Sequence, residues 1–108
     1  MKTLTRIAGA LALMVVLGAC SPQQWIDTVF TTDAPAATSV AQCESGMNPA
    51  AVSATDDHGL FQINRVHAGE FSQVTGKPWS SIYDAEWNTK FAKWLYDQDG
   101  WTPWNCQP

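Results

Sequence analysis

Between residues 84 and 99 the apolar positions Trp87, Phe91, Trp94 and Leu95 stand at i, i+4, i+7 and i+8, with Asp84 ahead of them and Gly100 behind. That spacing predicts an amphipathic helix with Asp84 as its N-cap and an exposed Glu86–Lys90 ion pair. A second helix is predicted over residues 65–74, with Val66, Phe71 and Val74 inward and Gly76 as its stop. A third starts at Ser39, which forms a capping box with Gln42, passes through Ala41 and Cys43, and ends near Gly46 ahead of Pro49. Residues 53–58 are rich in turn formers, and 59–64 mix apolar and amide side chains as a short extended segment does.

The first forty residues follow a different pattern. Lys2 and Arg6 precede an uncharged run over residues 7–17, which suits an export signal and is too short to span a bilayer. Leu17-Gly18-Ala19-Cys20 resembles a bacterial lipobox, which implies removal of residues 1–19 and acylation of Cys20. Trp25, Ile26, Val29 and Phe30 then have helical spacing over barely two turns, compatible with lying on a lipid surface or with packing on a folded domain. The small residues and Pro35 over 31–38 read as an extended spacer, so residues 20–38 are expected to form a lipid-anchored linker.

Charge narrows the classes of partner. Without Lys2 and Arg6 the chain keeps four basic and ten acidic side chains, a formal charge of −6, and has no basic run, so nucleic acid is excluded as a partner. There is no Gly-rich phosphate loop. His58 and His67 stand nine apart on different predicted elements, so neither a metal nor another cofactor is expected. No internal repeat and no second folded domain is visible.

The candidate chemistry is centred on Glu44. A glycosidic bond breaks when a carboxylic acid protonates the leaving oxygen, and apolar surroundings help such an acid to keep its proton. Val40, Cys43 and Met47 flank Glu44 at helical spacing, so its carboxyl is expected at the edge of a small apolar core. Glu44-Ser45, Asn48, Ala51 to Ser53 and Gly59-Leu60-Phe61-Gln62 together resemble the signature of soluble lytic transglycosylases and related lysozymes. Cys43-Glu44-Ser45-Gly46 and the ending Gly100-Trp101-Thr102-Pro103-Trp104-Asn105-Cys106 are also similar to the catalytic domain of resuscitation-promoting factors.

The resemblance implies a small, mainly α, lysozyme-like domain over residues 39–108, which cleaves the MurNAc-GlcNAc β-1,4 bonds of peptidoglycan with Glu44 as general acid. It also implies that Ser53 lies near an N-acetyl group or a bound water, that Gln62 hydrogen-bonds the sugar, and that Asn64 and Asn48 brace the cleft. Three cysteines leave one odd thiol unless one has another task. Lipid on Cys20 supplies that task, and Cys43 and Cys106 can pair in an oxidising compartment, closing a loop worth roughly 4 kcal/mol. A domain of about seventy residues buries only about 60% of its unfolded surface and needs such a staple.

Two ways of finishing the reaction stay open. A transglycosylase needs one acid, whereas a lysozyme-type hydrolase uses a second carboxylate. Asp57 is the candidate, because Thr55-Asp56-Asp57-His58-Gly59-Leu60-Phe61-Gln62-Ile63-Asn64 resembles the segment of animal-type lysozymes that carries it. The chain departs from the transglycosylase pattern in having Asp57 where a small residue is usual and in lacking a later Tyr-Asn pair. Of the six tryptophans, Trp87, Trp94, Trp101 and Trp104 are expected to be structural, and Trp79, after Lys77-Pro78, is the open candidate for sugar stacking. The expected protein is a monomer in the bacterial envelope, held to the membrane by Cys20 and acting on glycan strands. The alternative class is a wall-binding lipoprotein that keeps the fold without turnover.

Overall fold

The computed structural model describes residues 20–108. The expected signal segment, residues 1–19, lies outside the described residues. The chain folds into helices α1 (Pro22–Phe30), α2 (Ala34–Ser45), α3 (Ala68–Thr75) and α4 (Ala85–Asp99), with short 3-10 turns at Thr31–Asp33, Arg65–His67 and Trp79–Tyr83. Two-residue strands β1 (Asp57–His58) and β2 (Ile63–Asn64) pair antiparallel, Asp57 opposite Asn64 and His58 opposite Ile63. The domain is mainly α, as its periodicity predicts.

Residues 22–38 correct the linker expectation, because they are helical and packed. Ser21 caps α1 in a full capping box, its hydroxyl accepting from the Gln24 amide while the Gln24 side chain accepts from the Ser21 amide, and Pro22 occupies the first turn. Ile26 and Phe30, one turn apart, are buried, as are Ala34, Ala37, Val40 and Ala41 on α2. What reads as spacer composition is a stripe of alanines at i, i+3 and i+7. Alanine is the best helix former and the smallest side chain that lets two helices approach closely. Pro35 starts α2 rather than breaking it, and Ser39, expected as a helix start, lies on the exposed side in mid-helix.

The helix expected over 65–74 is divided between a 3-10 turn and α3. Phe71 is buried, but Val66 is 80% exposed and Val74 40%. The 3-10 segment, with three residues per turn, breaks the 3.6-residue phase on which Val66 was aligned. By contrast α4 follows its pattern. The Asp84 side chain accepts from the Glu86 amide, Phe91 and Leu95 are buried, Trp87 and Trp94 pack partly against the core, and Lys90 reaches Glu86 at 2.6 Å.

The core is aromatic. Phe30 lies against Phe61 and stacks on Trp101, and Phe71 meets Phe91 edge to face. Cys43 and Cys106 form the expected disulfide, with Cα atoms 6.0 Å apart.

Candidate active site

Glu44 occupies the last turn of α2, half-buried, where Gly46 in the left-handed conformation (φ +64°) stops the helix. Its Oε2 accepts the backbone N–H of Cys106 at 3.1 Å. The neighbouring Ser45 hydroxyl donates to the Leu60 carbonyl at 2.7 Å, tying the end of α2 to the turn between the strands. Two residues before Cys106, the Trp104 indole donates to the Phe61 carbonyl at 2.9 Å. Three chain segments therefore converge around Glu44: the end of α2, the β1–β2 turn and the C-terminal segment.

A cavity lies beside this junction, lined by Asp57, Gln62, Ile63, Asn64, His67, Leu95, Pro103 and Trp104. Asp57, Gln62 and Asn64 are thus gathered on one depression, whereas Glu44, Ser53 and Trp79 are not among its lining residues; Glu44 is tied through the Cys106 amide to the C-terminal segment, whose Pro103 and Trp104 line the cavity. His67 and Trp104 were not expected there. Trp104, expected to pack over the disulfide, meets Phe61 and Trp101 edge to face and also lines the cavity. His67 follows Asn64 by three residues, one 3-10 turn, so the i, i+3 spacing is the signal that could have found it.

The polar groups around Asp57 are mostly engaged with one another. Its Oδ2 accepts from the hydroxyls of Ser53 (3.0 Å) and Thr55, and its Oδ1 accepts from Asn64 Nδ2 at 3.0 Å. Partial burial pushes the Asp57 carboxyl upward, but the donors Thr55, Asn64 and Ser53, in that order, together with the charge field of His58, outweigh it and hold the carboxyl below its ordinary value. Asn64 also donates to the Thr55 carbonyl and accepts from the Val66 amide, so it braces the loop. The Ser53 oxygen takes the Asp57 amide at 3.1 Å and that of Thr55 at 3.3 Å.

Gln62 sits at φ +53°, a conformation that a non-glycine residue adopts under constraint. Its amide nitrogen donates to the carbonyls of Ala51 (3.2 Å) and Gly59 (3.0 Å), which leaves Oε1 as the atom able to meet a ligand. Asn48 accepts the Ala50 amide and shapes the turn after α2.

The turn is held from behind by Asn88, which is fully buried. Its Nδ2 donates to the carbonyls of His58 (3.1 Å) and Ile82 (2.9 Å), and its Oδ1 accepts from the Phe61 amide at 2.8 Å. Gly59, at φ +79°, packs so closely that an added Cβ would lie 2.3 Å from Asn88 Nδ2. His58, 2% exposed, is held between Tyr83 (Nδ1 to the phenol oxygen, 2.7 Å) and Asp56 (Nε2 to Oδ1, 2.6 Å). The bond to His58, aided by Arg65 and opposed by burial, keeps the Asp56 carboxyl below its ordinary value.

Trp79 departs from the expectation of an open stacking ring. It is half-buried, edge-on to both His58 and Phe71, and its indole nitrogen is buried without a hydrogen-bond partner. The apolar demand of a large ring in a small core outweighs its place after Pro78.

No curated protein and no solved structure matches the chain. Residues 25–99, from the first turns of α1 to the end of α4, match the model of the transglycosylase SLT domain, and the chain belongs to that family.

Proposed function

We propose that the protein is a peptidoglycan-cleaving glycosidase that acts on MurNAc-GlcNAc β-1,4 bonds, with Glu44 as the single general acid. The observation that carries this reading is the half-buried Glu44 carboxyl, fixed by the amide of Cys106 in the segment whose Pro103 and Trp104 line the cavity, in a chain of the SLT family. Glu44 delivers its proton to the bridging oxygen as the C1–O bond breaks. The resulting carboxylate takes the proton of the muramic acid 6-hydroxyl as that oxygen bonds to C1. The acid is restored, an anhydro end is formed and no water is consumed.

Asp57 supports the one-acid route. Its oxygens already accept three side-chain hydrogen bonds, which lower its basicity and its strength as a nucleophile. The hydrolytic reading rests on its place in the cavity wall. Mass spectrometry of digested peptidoglycan separates the two: anhydro-muramic ends mark transglycosylation, and reducing ends mark hydrolysis. A Glu44→Gln protein whose digest matches the wild type would overturn the enzymatic reading and leave a wall-binding protein. In this reading the chain is exported, acylated on Cys20 and held in the bacterial envelope, with Ser53 and Asn64 shaping the site and Gln62 Oε1 accepting from the sugar.

A further inference from the structure

We infer that the face formed by Trp25, Lys90, Trp87 and Lys77 seats the domain directly on the lipid bilayer. This deepens the envelope reading above and rests on it. The described chain begins at Cys20, and the capping box on Ser21 starts α1 at the next residue but one. Two residues of chain span at most about 7 Å. Acyl chains on Cys20 would therefore bring the packed start of α1 to the headgroups with no spacer between.

The side chains at that place have the chemistry of a membrane interface. The amide of Trp25 donates to the Ser21 carbonyl, so this indole stands one turn from the anchor point. Lys90 Nζ lies 5.5 Å from the Trp25 ring centre and 4.6 Å from that of Trp87, and Lys77 Nζ lies 4.9 Å from the Trp87 ring centre. Trp rings combine an apolar body with a polar edge, and Lys stems lie along apolar surface while the ammonium reaches phosphate. Of the four basic side chains from Cys20 onward, these two stand on this face, and Lys77 makes no ion pair among the described residues. Lys90 also pairs with Glu86 at 2.6 Å, so Lys77 is the cation that this face offers to anionic headgroups. Gln23 bonds Thr38 at 2.8 Å, which ties the first turn of α1 to the N-terminal half of α2.

The test uses the full chain, isolated from bacterial membranes and reconstituted in phosphatidylethanolamine–phosphatidylglycerol vesicles that contain lipid brominated near the headgroup. Mass spectrometry of the N-terminal peptide reads the anchor, and tryptophan quenching reads the seat. Expected are strong quenching of the wild type, a partial loss of it in Trp25→Phe and in Trp87→Phe, loss of most of it when both are replaced, and no loss in Trp101→Phe. Circular dichroism checks that each variant folds, and Lys90→Glu provides a second, charge-based reduction. An anchored wild type without quenching, or one whose quenching survives both Trp substitutions, overturns the seat. A peptide with neither acyl group nor residues 1–19 overturns the anchor alone, and quenching still decides the seat.

Discussion

Glu44 accepts a hydrogen bond from the backbone amide of Cys106, the residue whose sulfur is bonded to Cys43, immediately before Glu44 in the chain. The disulfide and the carboxyl thus clamp the same residue from two sides. Reduction, or replacement of both cysteines by serine, is expected to release the C-terminal segment and to lower stability by roughly 2–4 kcal/mol. Urea unfolding with and without reductant measures the second effect, and a parallel loss of glycan cleavage at a concentration where the reduced chain is still folded measures the first.

Asn88 is the counterpart on the other side of the turn. Asn88→Ala leaves the Phe61 amide and the His58 and Ile82 carbonyls without their side-chain partner, and each buried unsatisfied group costs about 1–3 kcal/mol. The expected outcome is loss of several kcal/mol in urea unfolding. Gly59→Ala is expected to be similarly damaging, since its methyl would collide with Asn88 and its φ of +79° is unfavourable for alanine. A Gly59→Ala protein of wild-type stability would contradict the packing described.

The Asp57 carboxyl makes stability depend on pH in one direction. Despite the upward push of burial, its donors hold it below the ordinary value of 3.8, so the folded state binds its proton less readily than the unfolded chain. Its contribution is present above that ordinary value and is lost as the pH falls through the lower folded value. Asp56, held down first by His58, adds in the same sense. A thermal series from neutral pH to below 4 should show a decline at its acid end, and Asp57→Asn should flatten part of it.

The same Asp57→Asn variant separates the two reactions. Under the one-acid route it is expected to keep most of its activity and its anhydro product. Loss of nearly all turnover in a folded variant would establish hydrolysis with Asp57 as partner.

A shortened chain starting at residue 39, where the sequence places the domain boundary, is expected not to fold. It lacks Ile26 and Phe30, each contributing about 1.5–3 kcal/mol by burial, together with Ala34 and Ala37, against a typical total stability of about 5–15 kcal/mol. A chain starting at Ser21 keeps them and is expected to unfold cooperatively by circular dichroism.

These outcomes bear on what can be read from the residues alone. Helix α4 was legible because Trp87, Phe91 and Leu95 are large enough to mark a face, and the cysteine count led to the pairing that the structure contains. The helical spacing of Trp25, Ile26, Val29 and Phe30 and the second half of α2 were visible, but the first half of α2 was not, because alanines and threonines carry almost no hydropathic contrast and their burial is decided by what they pack against. Of the candidate residues, Asp57, Gln62 and Asn64 line one cavity. That the donors of Ser53 and Asn64 serve Asp57, and that Trp79 is turned inward, depends on pairing across the turn and on core shape, for which linear spacing has no signal.

The β1–β2 turn, with the constrained Gln62 at its end, is fixed on one side by Asn88, on another by Ser45 and Trp104, and beneath by the His58 pair with Tyr83 and Asp56. Its conformational entropy is therefore lost once, during folding, and not again with each ligand. A ligand entering the cavity meets acceptors already in position, so little of the free energy of association is needed to order the protein around it.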